Sequence, residues 1–148
     1  MSAEDVRDDA RLALAAGPGR VLVAVYGVFA IAATGRSLTQ LGLDAGRAPF
    51  AYSLSLVAAV VYLVATTCLL RGGARAWRIA LVAVVVEAVG VIGIGVLSYV
   101  DTALFPDRTV WSHFGQGYGY LPLVLPFAGL AWLRATRPSV RVPGGSPS

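Results

Sequence analysis

Residues 49–70 read PFAYSLSLVAAVVYLVATTCLL, 22 residues without a charge. A helix of ~20 such residues spans a hydrocarbon layer of ~30 Å, and in lipid an unpaired strand or loop cannot satisfy its own N–H and C=O groups. Three comparable runs accompany it. One starts after Arg20 and ends near Leu41, one runs from Trp77 to about Tyr99 and is broken only by Glu87, and one covers about Gly117 to Leu133. Spans are therefore placed at about 20–41, 49–70, 77–99 and 117–133. The expected fold class is all-α: a polytopic membrane protein with four transmembrane helices in a compact bundle. Composition agrees, since charged residues are 14% of the chain, against about 25% in a soluble domain. Mean hydropathy is +0.71, and 148 residues leave room for one domain.

The net charge of +4 is carried by arginine alone, for the chain has no lysine. These arginines flank the apolar runs, a pattern of membrane topology and not of nucleic-acid binding. Arg7, Arg11 and Arg20 precede the first span, Arg71, Arg75 and Arg78 link the second to the third, and Arg134, Arg137 and Arg141 follow the fourth. Only Arg36, Arg47 and Arg108 fall on the other side. The positive-inside rule then places both termini and the middle loop in the cytoplasm, in a multi-pass protein of the cytoplasmic membrane. Trp77 and Trp132 would lie at the inner interface, Tyr99 and Trp111 at the outer one. Residues 1–19 form a cytoplasmic segment whose acidic stretch EDVRDDAR is unlike the basic start of a cleavable signal. Ser2 and Asp5 are spaced to cap a short helix over 2–16, and Gly17-Pro18-Gly19 would break it from the first span. The Pro/Gly/Ser-rich tail, 135–148, is expected to be disordered.

One cysteine, Cys68, and one histidine, His113, exclude an intrachain disulfide framework and the usual metal motifs, so no metal or cofactor is expected. Neither a nucleophile–base pair nor a phosphate loop is visible, which argues against an enzyme. Glu87 is the sharpest candidate. An acid near the middle of a span costs about 2.5–3.5 kcal/mol on insertion scales. Arg36, in the outer half of the first span, is its candidate partner. The two read as a structural ion pair, or Glu87 as a protonated acid hydrogen-bonded to a neighbour while Arg36 snorkels outward, or as a proton or substrate site; the structural reading is preferred because buried pairs often serve as scaffolding. Thr34, Ser37 and Gln40 flank Arg36, while Ser55, Tyr62 and Thr66 share a face of the second span; helix packing is the default role of both groups. Gly90, Gly93 and Gly95 read as packing sites.

The longest connection, about 100–116, is the expected recognition surface. With its lead-in to the fourth span it offers Asp101, Asp107, Trp111, His113, Gln116 and Tyr118. Asp101 and Asp107 would make a weak cation site at best. The Gly117-Tyr118-Gly119 tripeptide invites comparison with a potassium filter, but Gly115-Gln116 stands where Thr-Val would supply carbonyl rings. Six residues from Trp111 to Gln116 would rise only about 9 Å as a pore helix, so the filter reading is disfavoured. Pro122 and Pro126 predict a kink in the outer half of the fourth span.

The stretch WSHFGQGYGYLPLVLPFAGLAWLR (111–134), with VAVYGVFA (23–30) and the loop Asp101-x-x-Leu-Phe-Pro-Asp107, resembles a group of small, uncharacterised integral membrane proteins of actinobacteria. The likeness covers most of residues 20–137 and implies a four-helix protein of the cytoplasmic membrane, with no catalytic residue to carry over. The expected function is that of a non-enzymatic accessory or assembly protein acting through helix packing and its outer loop. Its partners would be the lipid bilayer and a second copy or a larger membrane protein. The alternative is a small transporter or lipid-carrier permease centred on Glu87 and Arg36.

Overall fold

The computed structural model describes residues 2–15 and 17–138. Arg141 and nearly all of the expected disordered tail lie outside the described residues. Helix α1, Ala3–Ala15, opens on the predicted cap: the Asp5 N–H donates to Ser2 Oγ at 3.2 Å and the Ser2 N–H donates to Asp5 Oδ2 at 2.7 Å. Gly17, at φ 84°, then redirects the chain into α2, Pro18–Asp44. Helix α3 spans Pro49–Arg71, α4 spans Ala74–Val100 and α5 spans Leu121–Ala135. Pro18, Pro49 and Pro122 each fall in the first turn of a helix, where a missing N–H costs no hydrogen bond.

Length separates these helices into two classes. The 27, 23 and 27 residues of α2, α3 and α4 make all three long and apolar enough to cross a membrane. The 15 residues of α5 rise only ~22 Å, short of a ~30 Å core. The fourth apolar run therefore becomes a helix at 121, not at the predicted 117. Pro122 serves as its start and does not kink it, leaving Pro126 as the one proline inside.

Helix α3 packs between α2 and α4, α5 lies on α4 and more lightly on α2, and α1 rests against α2 and α3. The core combines small residues, among them Ala30, Ala33, Ala58, Ala65 and Ala80, with the rings of Tyr26, Phe29 and Tyr62. Small side chains let membrane helices approach closely. Ser37, Ser55 and Thr66 donate back to the carbonyls of Ala33, Ala51 and Tyr62, so these polar residues satisfy themselves within their own helices. Val21, Ile31, Val60, Val82 and Val89 face outward, in keeping with lipid contact. At one end of the bundle the Trp77 indole N–H donates to the Leu133 carbonyl at 2.8 Å, tying the start of α4 to the end of α5.

Candidate functional site at the α4–α5 end of the bundle

Residues 101–120 connect the end of α4 to the start of α5, at the end of the bundle opposite Trp77. Asp101 closes α4 with its N–H on the Leu97 carbonyl. A 3-10 turn at Thr102–Leu104 leads to Phe105, which is buried with Ala48, Ala51 and Tyr52. Asp107 accepts a hydrogen bond from the Tyr52 hydroxyl and faces Arg47 at 3.6 Å. The Asp107 carboxylate is thus engaged by Tyr52 and Arg47, while Asp101 contributes its backbone N–H to the end of α4.

Beyond Arg108 the chain turns inward. Thr109 and Ser112 build a tight turn in which the Thr109 N–H donates to Ser112 Oγ and the N–H groups of Trp111 and Ser112 donate to Thr109 Oγ1. The Trp111 ring lies so close to Gly90 that a Cβ added there would come within 2.7 Å of it. Gly90 stands ten residues before the end of α4, or ~15 Å down the helix axis. Phe114 fills the space beside Gly95 in the same way. Trp111 is 2% exposed, so it is a core residue and not the outer-interface aromatic that the sequence predicts. Its ring finds a notch in α4 deep enough to bury it, and small residues are what open such a notch.

The segment Ser112–Tyr118 is a pair of 3-10 turns joined through His113, Phe114 and Gly115 at φ 53°, 59° and 77°. Tyr120, at φ 61°, adds a third side-chain-bearing residue in the left-handed region. Each such residue costs of order 1–3 kcal/mol and persists only where its surroundings over-determine it. Here α4 does so: the His113 N–H donates to Ser98 Oγ at 2.8 Å, and the His113 ring meets Tyr99 edge-on at 4.5 Å. Gly117-Tyr118-Gly119 ends this turn, with Gly119 left-handed. A filter needs an extended carbonyl ladder, which this backbone does not provide.

Arg36 is held by this segment. Its Nη1 donates to the Tyr118 hydroxyl at 3.0 Å and its Nη2 to the Arg108 carbonyl. The predicted Arg36–Glu87 pair is therefore not formed. Arg36 lies nearer the C-terminal end of α2, where the folded segment offers acceptors within reach of a snorkelling side chain. Above it opens a cleft of about 210 Å³, lined by Arg36, Arg108, Ser112, His113, Gln116 and Tyr118 among others. Two nitrogens at the cleft residues, Arg36 Nε and His113 Nδ1, are buried without a hydrogen-bond partner.

Glu87, the central residue of α4, is fully buried. The Tyr26 hydroxyl donates to its Oε2 at 2.7 Å and lies 3.5 Å from the Leu125 carbonyl. Tyr62 faces the same carboxyl group from α3, and its hydroxyl accepts the Trp111 indole N–H at 3.2 Å. The cluster joins α2, α3, α4, α5 and the segment between α4 and α5 around one acid. Glu87 Oε1 takes no hydrogen bond, and Glu87 forms no ion pair among the described residues.

Of the candidates read from sequence, Arg36, His113, Gln116 and Tyr118 converge on the cleft, Trp111 joins the Glu87 cluster, and Asp101 and Asp107 stand apart. Tyr26, Arg108, Thr109 and Ser112 were not singled out. Tyr26 carried a usable signal, because a tyrosine hydroxyl in the middle of an apolar run needs a partner. Matching such groups across spans would have set it against Glu87. No family model, curated protein or solved structure matches this chain.

Proposed function

We propose that this chain is a non-enzymatic integral membrane protein of the accessory or assembly type, acting at its outer face. In this reading α2 to α5 all cross the cytoplasmic membrane with both termini inside. Residues 109–120 complete the outer part of the short fourth crossing, as non-helical backbone is allowed to do when protein covers it. The partner is a larger membrane protein or a second copy of the chain, within the bilayer.

The observation that carries this reading is the separation of two polar groups. Glu87 is enclosed among Tyr26, Tyr62 and the helices that they join, as a structural hub is. Arg36 and Arg108 instead line an open cleft at the outer end. Sidedness is tested by cysteine labelling in a Cys68→Ala background. Arg108→Cys should react with an impermeant maleimide on intact cells, and Ser2→Cys only after permeabilisation; the reverse pattern overturns the reading.

A second reading, a small transporter or lipid-carrier permease using Glu87, is favoured by one specific feature: Oε1 is buried without a partner. Glu87→Gln separates the two. A variant that melts like wild type yet no longer functions supports transport through Glu87, whereas retained function supports the hub.

A further inference from the structure

We infer that the outer cleft is a binding site for a phosphate-bearing anion, with Arg36 and Arg108 as its cationic ligands. Both arginines line the cleft, and neither is paired with a carboxylate among the described residues, where Asp107 is taken by Arg47 and Tyr52. Two unneutralised arginines beside a low-dielectric bundle attract anions strongly, and the planar guanidinium fork matches phosphate oxygens.

Arg36 is held ready for this task. Two of its N–H groups are spent on Tyr118 and the Arg108 carbonyl, which fixes the side chain, while Nε–H has no partner. Ordering of that long side chain is then complete before a ligand arrives, which lowers the cost of binding. Neutral donors stand beside it. Thr109 Oγ1 and Ser112 Oγ share one hydroxyl proton between them at 3.0 Å, so the other hydroxyl proton is left for an outside acceptor. His113 contributes Nδ1, buried and without a partner, and Gln116 an exposed amide at the rim. His113, with its left-handed backbone, lies in the wall that supplies these groups.

Size narrows the ligand. The cleft's 210 Å³ falls below the ~300–1,000 Å³ of drug-sized pockets. That suits a phosphate or phosphodiester with a short substituent, either the head of an anionic lipid or a small soluble phosphate.

The test uses the full chain in phosphatidylcholine nanodiscs. One arm dopes the discs with phosphatidylglycerol and reads retained lipid by native mass spectrometry. The other titrates inorganic phosphate and reads the rise in melting temperature. Retention of phosphatidylglycerol over phosphatidylcholine identifies a lipid head, and stabilisation by phosphate identifies a soluble ligand. The affinity behind either response should fall about tenfold in Arg108→Gln, which removes one of the two guanidiniums but keeps the backbone carbonyl that Arg36 uses. Equal binding by wild type and Arg108→Gln, or no preference in either arm, overturns the site. The inference rests on the outer-face reading only for which compartment supplies the ligand. Labelling of position 108 from the inside would refute that reading while leaving the binding result to stand or fall on its own.

Discussion

Glu87 meets a tyrosine hydroxyl at 2.7 Å where the sequence suggested an arginine, and the difference is testable one side chain at a time. Combining Arg36→Ala with Glu87→Gln should give additive losses of thermal stability, because the two residues share no partner. Combining Tyr26→Phe with Glu87→Gln should instead show coupling of about 0.5–1.5 kcal/mol, the range for hydrogen bonds between membrane helices. A large Arg36–Glu87 coupling would contradict the geometry. The glycines of α4 give a sharper contrast. A methyl at Gly90 would meet the Trp111 ring at 2.7 Å, while nothing lies within 4 Å of one at Gly93. Gly90→Ala should therefore destabilise by about 1–3 kcal/mol as overpacking does. Gly93→Ala should be neutral or stabilise by up to about 1 kcal/mol from helix propensity. Denaturation of both variants in the same detergent checks this.

Among the elements, the three long helices were legible as charge-poor apolar runs, and local chemistry marks their ends. Pro18 and Pro49 open two of them and Gly72-Gly73 separates α3 from α4. The same signal at Pro122 marks the start of α5, but the apolar glycine–tyrosine stretch before it reads as span by hydropathy alone. Residues 109–120 could not be derived locally. His113, Phe114 and Tyr120 adopt a backbone conformation that side chains disfavour, and for His113 and Phe114 the contacts with Ser98, Tyr99 and Gly95 hold it. Those contacts join positions well apart in the chain, so no window of sequence contains them. It follows that Trp111→Ala should release the outer segment first. Hydrogen exchange is expected to rise across 109–120 while the middles of α2, α3 and α4 stay protected. Uniform loss of protection would mean that Trp111 supports the whole bundle.

Taken as a whole, the described residues pair a tightly packed interior with an apolar outer girdle and a charged concavity. The interior was readable in kind, since small and polar residues at helical spacing announced packing, but its wiring was not. Tyr26 and Glu87 are 61 residues apart, and only assembly of the bundle brings them together. The cleft was half readable: His113, Gln116 and Tyr118 were candidates, whereas Arg108 was counted only as a topology marker. The most direct measurement is native mass spectrometry of the full chain released gently from its membrane, comparing wild type, Glu87→Gln and Arg108→Gln. If the outer face does the work and Glu87 is a hub, wild type and Glu87→Gln will carry the same bound companion or anionic lipid, and Arg108→Gln will have lost it. Loss in Glu87→Gln with retention in Arg108→Gln would contradict this and move the functional centre into the membrane.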